Sequence, residues 1–350
     1  MPPCGPHAAA CLLLVLLGLL SCLQVATARP APAAARPHPP DGAAWRSFKH
    51  LLDARRGSRV AGLAELKKHL ARFGYMHPRT EHDDAFDEHM EAAVKRYQSR
   101  LSLPVTGHLD PATLGRIMSP RCGVADGHGV SVSLSKSAVS QFTFLDGEPR
   151  WTRPDLLVLT YYISRRATVD YLPQEDVRAA FRSAFARWAR VIPVEFVETD
   201  DYYGADIRVG FYEGDHGDND PFDGPQGVLA HAGGPNDGGL HLDAAEHWTV
   251  DLDADTASMA IDLESVATHE IGHVLGLEHS SLPEAVMYPY IGERERKVEL
   301  TDDDVEGVQL LYGSNPRFRH VPSVSPGRSS WLAGSVSLFC VVLVMLVTHM

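Results

Sequence analysis

The sequence has 350 residues, 44% of them hydrophobic and 22% charged, with a formal net charge of −13. Such a length allows about two domains. The composition is neither that of a disordered chain nor that of a polytopic membrane protein, and the negative charge argues against nucleic acid as a partner. The acid is concentrated over residues 198–262, which reads as cation sites rather than a diffuse solvated surface.

The chain opens with an uncharged run, Ala8 to Leu23, followed by Ala26-Thr27-Ala28. This pattern predicts a signal peptide over 1–28, cut after Ala28, although its first part carries His7 where Lys or Arg is usual. The product would enter an oxidising, extracellular compartment. Residues 29–44 are rich in Pro and Ala and predict a linker.

From Trp45 to about Met118 the apolar period is helical. Phe48, Leu51 and Leu52 mark one face; Leu63, Leu66, Leu70 and Phe73 a second; Phe86, Met90, Ala93, Val94 and Tyr97 a third. Asp110 is placed to cap a further helix that has Pro111 at its first position. A small all-α unit over 45–126 follows. It ends in Pro120-Arg121-Cys122-Gly123-Val124-Ala125-Asp126. Of the five cysteines, Cys4, Cys11 and Cys22 lie in the signal segment and Cys340 near the C-terminus. Cys122 therefore has no internal disulfide partner in the folded part and reads as a free thiol with a purpose.

Residues 127–150 lack a period and read as an exposed connector. An α/β domain is expected over 151–313. Leu156–Ile163 is a strand, Gln174–Val191 an amphipathic helix, and Ile207–Phe211 a second strand followed by a long loop-rich region. A helix runs over roughly Leu263–Leu275. The last helix starts at Thr301, paired with Asp304 as in a capping box, and ends near Tyr312-Gly313. A spacer (314–330) leads to a tail (331–350) with an apolar run from Trp331 to Val347 and no Lys or Arg behind it. Small residues upstream make a GPI-attachment signal on the outer leaflet of the plasma membrane the better fit, with a true membrane span as the other reading.

In the expected helix over Leu263–Leu275 and just after it lies His269-Glu270-Ile271-Gly272-His273-Val274-Leu275-Gly276-Leu277-Glu278-His279. His269 and His273 stand one turn apart and leave the same face. Gly276 lets the backbone turn out of the helix, so that His279 returns to the same point. Three neutral imidazoles leave one tetrahedral position open, as in a catalytic zinc site. Glu270 shares the helix and is placed to act on a water without being a ligand. Met287 follows as a candidate Met-turn. H-E-x-x-H-x-x-G-x-x-H with this methionine is the metzincin zinc-protease signature.

Together with P-R-C-G-V-A-D, the stretch from His216 to Trp248 and V-M-Y-P, these motifs resemble the matrix metalloproteinases (matrixins), from about Phe48 to Gly313. Ser280 after the third histidine favours matrixins over astacins or adamalysins. D-G-P-Q-G-V-L-A-H-A and H-L-D-A-A-E-H-W look most like the plant matrixins, which lack a haemopexin domain. The resemblance implies a metzincin domain, a twisted mixed sheet with long helices and zinc in the cleft, behind a peptidoglycan-binding-like helical prodomain. It implies an endopeptidase acting on protein or peptide substrates, with zinc polarising the scissile carbonyl and Glu270 as general base. It also implies that Cys122 closes the zinc site of a latent zymogen, its loop oriented by Arg121 on Asp126. The precursor would be its own inhibitor until cut between about Gly127 and Arg150, where no dibasic furin-type site stands.

The same resemblance matches His216, Asp218, His231 and His241 to a structural zinc site. It matches Asp223, Asp243 and Glu246, with the carbonyls of Gly224, Gln226 and Val228, to a calcium site. A further calcium loop is shortened here over 233–239, with Gly239 where aspartate is frequent; Asp206 remains as a ligand or a surface residue. Substrate would lie along an edge strand near Val228–Ala232, with a pocket walled by the segment after Met287. Pro289 fits that wall, and Tyr290-Ile291 departs from its usual pattern. The rival reading, a non-catalytic surface-anchored binding protein on a matrixin fold, predicts damage to Glu270 or a ligand, and there is none.

Overall fold

The computed structural model describes residues 45–77, 82–127 and 141–319. The expected signal peptide, linker, C-terminal tail and most of the connector lie outside the described residues. Among the described residues no helix is long and apolar enough to cross a membrane.

The N-terminal unit begins with a 3-10 turn (Trp45–Leu51) where the sequence predicted an ordinary helix face. Phe48 and Leu51 are buried there, but Leu52, expected beside them, is 48% exposed. Helices α1 (Leu63–Arg72), α2 (Glu88–Arg100) and α3 (Pro111–Ile117) follow. Asp110 caps α3, its carboxylate accepting from Thr113 N at 2.8 Å. Lys67 is buried within the unit, held by Asp83 at 2.7 Å and Asp87 at 2.8 Å. The apolar core of this unit does not close on itself: Phe222, Val228, Tyr288 and Tyr290 of the following domain belong to the same buried cluster.

The larger domain holds β2 (Leu157–Ile163), α4 (Gln174–Val191), β3 (Val194–Glu198), β4 (Ile207–Tyr212), β5 (Val228–Ala232) and β6 (Gly239–Asp243). The short strands β7 (Trp248–Thr249) and β8 (Ile261–Asp262) pair parallel beside them. Helices α5 (Leu263–Val274) and α6 (Asp302–Tyr312) complete it. The main sheet has the order β1-β5-β6-β4-β2-β3, where β1 is Arg121–Cys122. All pairs are parallel except β5 with β6. The segment expected to be loop-rich contributes two strands of the sheet: β5, where an edge strand was expected, and β6, which was not expected. β3 also went unread, because V-E-F-V-E starts within three residues of the end of α4 and carries no turn signal of its own.

Helices α4 and α5 cover one face of the sheet and meet through Trp188, whose indole N–H donates to Thr268 O at 2.9 Å. Asp262 caps α5 by accepting from Ser265 N at 2.9 Å. The helix stops at Gly276, which has φ 102°; a Cβ there would sit 2.3 Å from Pro149 O. Only glycine fits this exit. Gly272, one turn earlier, faces Met287 so closely that a Cβ would fall 2.2 Å from its sulfur.

The Thr301–Asp304 capping box forms as the sequence predicts. Asp304 does more than cap. Fully buried, it accepts from Val286 N at 2.9 Å and Met287 N at 3.0 Å, tying the methionine turn to α6. Replacing it with Ala orphans both amides and removes the half of the capping box in which its carboxylate accepts from Thr301 N at 2.8 Å. We expect Asp304→Ala to lower stability by about 2–4 kcal/mol, read as a drop in the thermal midpoint of the full chain.

Candidate metal centre

α5 and the turn after it bring His269, His273 and His279 to one point. In each ring the Nδ1 side is occupied by an acceptor. His269 Nδ1 lies 2.7 Å from Val286 O, His273 Nδ1 lies 2.9 Å from Leu277 O, and His279 Nδ1 lies 2.7 Å from Asp126 Oδ1. With the proton on Nδ1, each Nε2 presents a bare lone pair. These lone pairs converge: His273 Nε2 is 3.2 Å from Nε2 of both His269 and His279. Cys122 Sγ stands 3.4 Å from the same His273 nitrogen. A tetrahedron with metal–nitrogen bonds of about 2.0 Å has edges of about 3.3 Å, so the donor set has the size and chemistry of a zinc site. Burial lowers all three imidazole pKa values, that of His269 to about 3, which keeps the rings neutral and fit to bind a cation.

Glu270 lies beside this group, fully buried, and neither of its carboxylate oxygens has a hydrogen-bond partner of good geometry. Burial pushes its carboxyl up to about 8, with the Cys122 thiol as its polar neighbour. Met287 packs against Gly272, on the same helix as Glu270.

The thiol is held in place by the segment around it. Arg121 N donates to Gly227 O at 2.9 Å, Gly123 N to Ala230 O at 2.7 Å, and Cys122 N to Pro289 O at 2.9 Å. β1 therefore runs parallel to β5 on one side, and Arg121 bridges antiparallel to Tyr290 on the other. The Arg121 guanidinium is buried 3.5 Å from the centre of the Phe73 ring. It donates to Tyr290 Oη at 3.0 Å and Asp126 Oδ1 at 2.9 Å. Tyr75 Oη donates to the other Asp126 oxygen at 2.6 Å. Arg100, at the end of α2, reaches across to His279 O at 2.8 Å, and Arg72 to Asp220 at 2.7 Å. Beside the thiol a small, partly open pocket lies between Leu229, Val266, Tyr288, Tyr290, Ile291 and Lys297.

A second convergent group lies at the β5–β6 pair. His216 Nε2, His231 Nε2 and His241 Nδ1 are 3.1–3.3 Å apart, and Asp218 Oδ2 sits 2.8–2.9 Å from all three. The spacing again matches a closed tetrahedral set.

Asp223, Asp243 and Glu246 gather nearby without sharing one focal point of that kind. Their carboxylates tie the loop to β6: Val228 N donates to Asp223 at 2.9 Å, Gly224 N to Asp243 at 3.1 Å, and Gln226 N to Glu246 at 2.6 Å. Burial pushes Asp243 up to about 6; burial and then the charge of Asp243 push Glu246 up to about 8. Crowded carboxylates of this sort are relieved by a cation. Asp206 accepts from Thr160 N at 2.8 Å and pairs with Arg153.

Sequence reading missed three contacts: Asp126 on His279, Gly272 against Met287, and Tyr290 in contact with Tyr97 and Arg121. Tyr97 and Tyr290 hydroxyls stand 2.8 Å apart. Each joins segments remote in the chain, and only the departure of Tyr290-Ile291 from the wall pattern hinted at any of them.

Residues 150–313 match the matrixin peptidase family, and residues 59–117 match a putative peptidoglycan-binding domain. The chain is 50% identical over 295 residues to Metalloendoproteinase 1-MMP of Arabidopsis thaliana, covering 84% of this chain and 80% of that protein. It is 39% identical over 308 residues to Metalloendoproteinase 1 of Glycine max, covering 86% and 97%. It is 40% identical over 229 residues to human neutrophil collagenase, covering 64% and 44%. The convergent histidines, the adjoining glutamate and these likenesses together place the chain in the matrixin family of zinc metalloendopeptidases, with a helical prodomain ahead of the catalytic domain.

Proposed function

We propose that the protein is a secreted, cell-surface endopeptidase made as a latent precursor, with Cys122 as the lock on a zinc site formed by His269, His273 and His279. One observation carries this reading: the Cys122 sulfur stands within ligand spacing of three bare imidazole nitrogens, beside a buried glutamate. Zinc, when bound, supplies a Lewis acid that polarises a carbonyl oxygen and acidifies a water.

The chain's own residues do the rest. Departure of β1 returns water to Glu270 and lowers the cost of its charge. A Glu270 carboxylate oxygen then takes a proton from the attacking water and passes it to the leaving amine nitrogen. Substrate backbone pairs with β5 as an added strand, in the place β1 holds, and one side chain enters the cavity beside Tyr288 and Lys297. His216, Asp218, His231 and His241 hold a structural zinc. Asp223, Asp243 and Glu246, with carbonyls of Gly224, Gln226 and Val228, hold a calcium ion that fixes the loop leading into β5.

Three measurements test this reading. In the processed enzyme, Glu270→Gln should cut cleavage of a quenched peptide by roughly 10²–10⁴-fold with zinc content unchanged; full activity would remove the glutamate from the mechanism. The Cys122→Ser precursor should cleave that peptide before any processing, whereas a latent variant would show that the thiol is not the lock. The membrane assignment rests on the C-terminal residues alone. Phosphatidylinositol-specific phospholipase C should release the protein from intact cells, and retention would exclude a GPI anchor.

A further inference from the structure

The three metal-facing histidines are not held alike. His269 and His273 each turn their Nδ1 towards a backbone carbonyl of the catalytic domain, Val286 O and Leu277 O. His279 turns its Nδ1 towards a side chain, Asp126, which lies at the far end of the segment carrying Cys122. Both side chains of this pair are fully buried. The same Asp126 oxygen receives the Arg121 guanidinium at 2.9 Å, and its other oxygen receives Tyr75 Oη at 2.6 Å. The carboxylate is therefore fixed from three sides, and two of its partners belong to the prosegment.

An acceptor on the far nitrogen of a ligating imidazole fixes the tautomer and ring orientation and raises the basicity of the nitrogen that faces the metal. Carboxylates do this more strongly than neutral carbonyls, because the bond is charge-assisted. We propose that Asp126 is a positioning residue for the metal centre. It is the outer partner of His279, lent by the prosegment, so the precursor holds zinc more tightly than Cys122 alone accounts for, and activation removes this support together with the thiol. The proposal rests on the lock reading but concerns a different atom pair. It gives Asp126 a role apart from its ion pair with Arg121.

The test uses the zinc-loaded precursor and follows zinc transfer to a chromophoric chelator. Wild-type zinc content, measured first, checks the centre itself. In a Cys122→Ser background the thiol is absent, so any further change is independent of it. Adding Asp126→Asn there should speed zinc release by about ten- to a hundredfold. Equal rates for Cys122→Ser with and without Asp126→Asn would overturn the proposal while leaving the zinc site and the lock intact. A general loosening of the segment is separated by Arg121→Gln, which removes the ion pair but keeps the carboxylate beside His279. Histidine ¹⁵N–¹H spectra supply the direct readout: Asp126→Asn should move one of the three zinc-site Nδ1–H resonances and Arg121→Gln should leave it downfield. If Arg121→Gln reproduces both the release rate and the spectrum of Asp126→Asn, the carboxylate acts only by holding the loop and the proposal fails.

Discussion

Three imidazole lone pairs aimed at one another repel unless a cation lies among them, and the architecture around α5 exists to hold them there. The helix alone supplies two, one turn apart. The third requires the chain to reverse, which Gly276 permits at φ 102° where a side chain would strike Pro149. Below them Met287 fits against a helix position left bare by Gly272, and Asp304 binds the methionine turn to α6. Each ring is also fixed at its rear nitrogen. Ligand geometry is thus determined from the helix, from below and from behind.

Much of this was legible because it is local. The offsets between His269, His273, Gly276 and His279 encode a helix and its exit, so chemistry and fold could be read from a single segment. The Thr301–Asp304 capping box and the Asp110 cap were legible for the same reason: donor and acceptor lie three residues apart. The cation groups of residues 216–246 were not local in this sense and came from family resemblance rather than spacing. Strands β3 and β6 went unread, β3 because it follows α4 with no turn signal of its own and β6 because glycine, histidine and aspartate fill its alternate positions, whereas β5 was expected near Val228–Ala232 through the family resemblance. The contact of Asp126 with His279 joins residues 153 apart in the chain, and nothing in either neighbourhood announces it.

The segment carrying Cys122 docks through the sheet as well as through side-chain fit. Its backbone donates hydrogen bonds to Gly227 O and Ala230 O on the β5 side and to Pro289 O on the other. Arg121 enters as a buried cation among Phe73, Tyr290 and Asp126, which satisfies it from both domains at once. A buried charge with partners on both sides of an interface is costly to separate, because each half is left unpaired. Docking is therefore specific to this arrangement of loop, thiol and wall.

The shared core of the helical unit has one more consequence. Phe222, Val228, Tyr288 and Tyr290 complete an apolar cluster that otherwise belongs to the N-terminal unit, and Arg72 and Arg100 add polar ties. Cutting the connector between the domains breaks a covalent tie and none of these contacts. If Cys122 is the lock proposed above, severance and departure are two separate events with separate rates, and between them the cut prodomain would persist as a non-covalent inhibitor of its own enzyme. Its dwell time is set by side chains far from the cut.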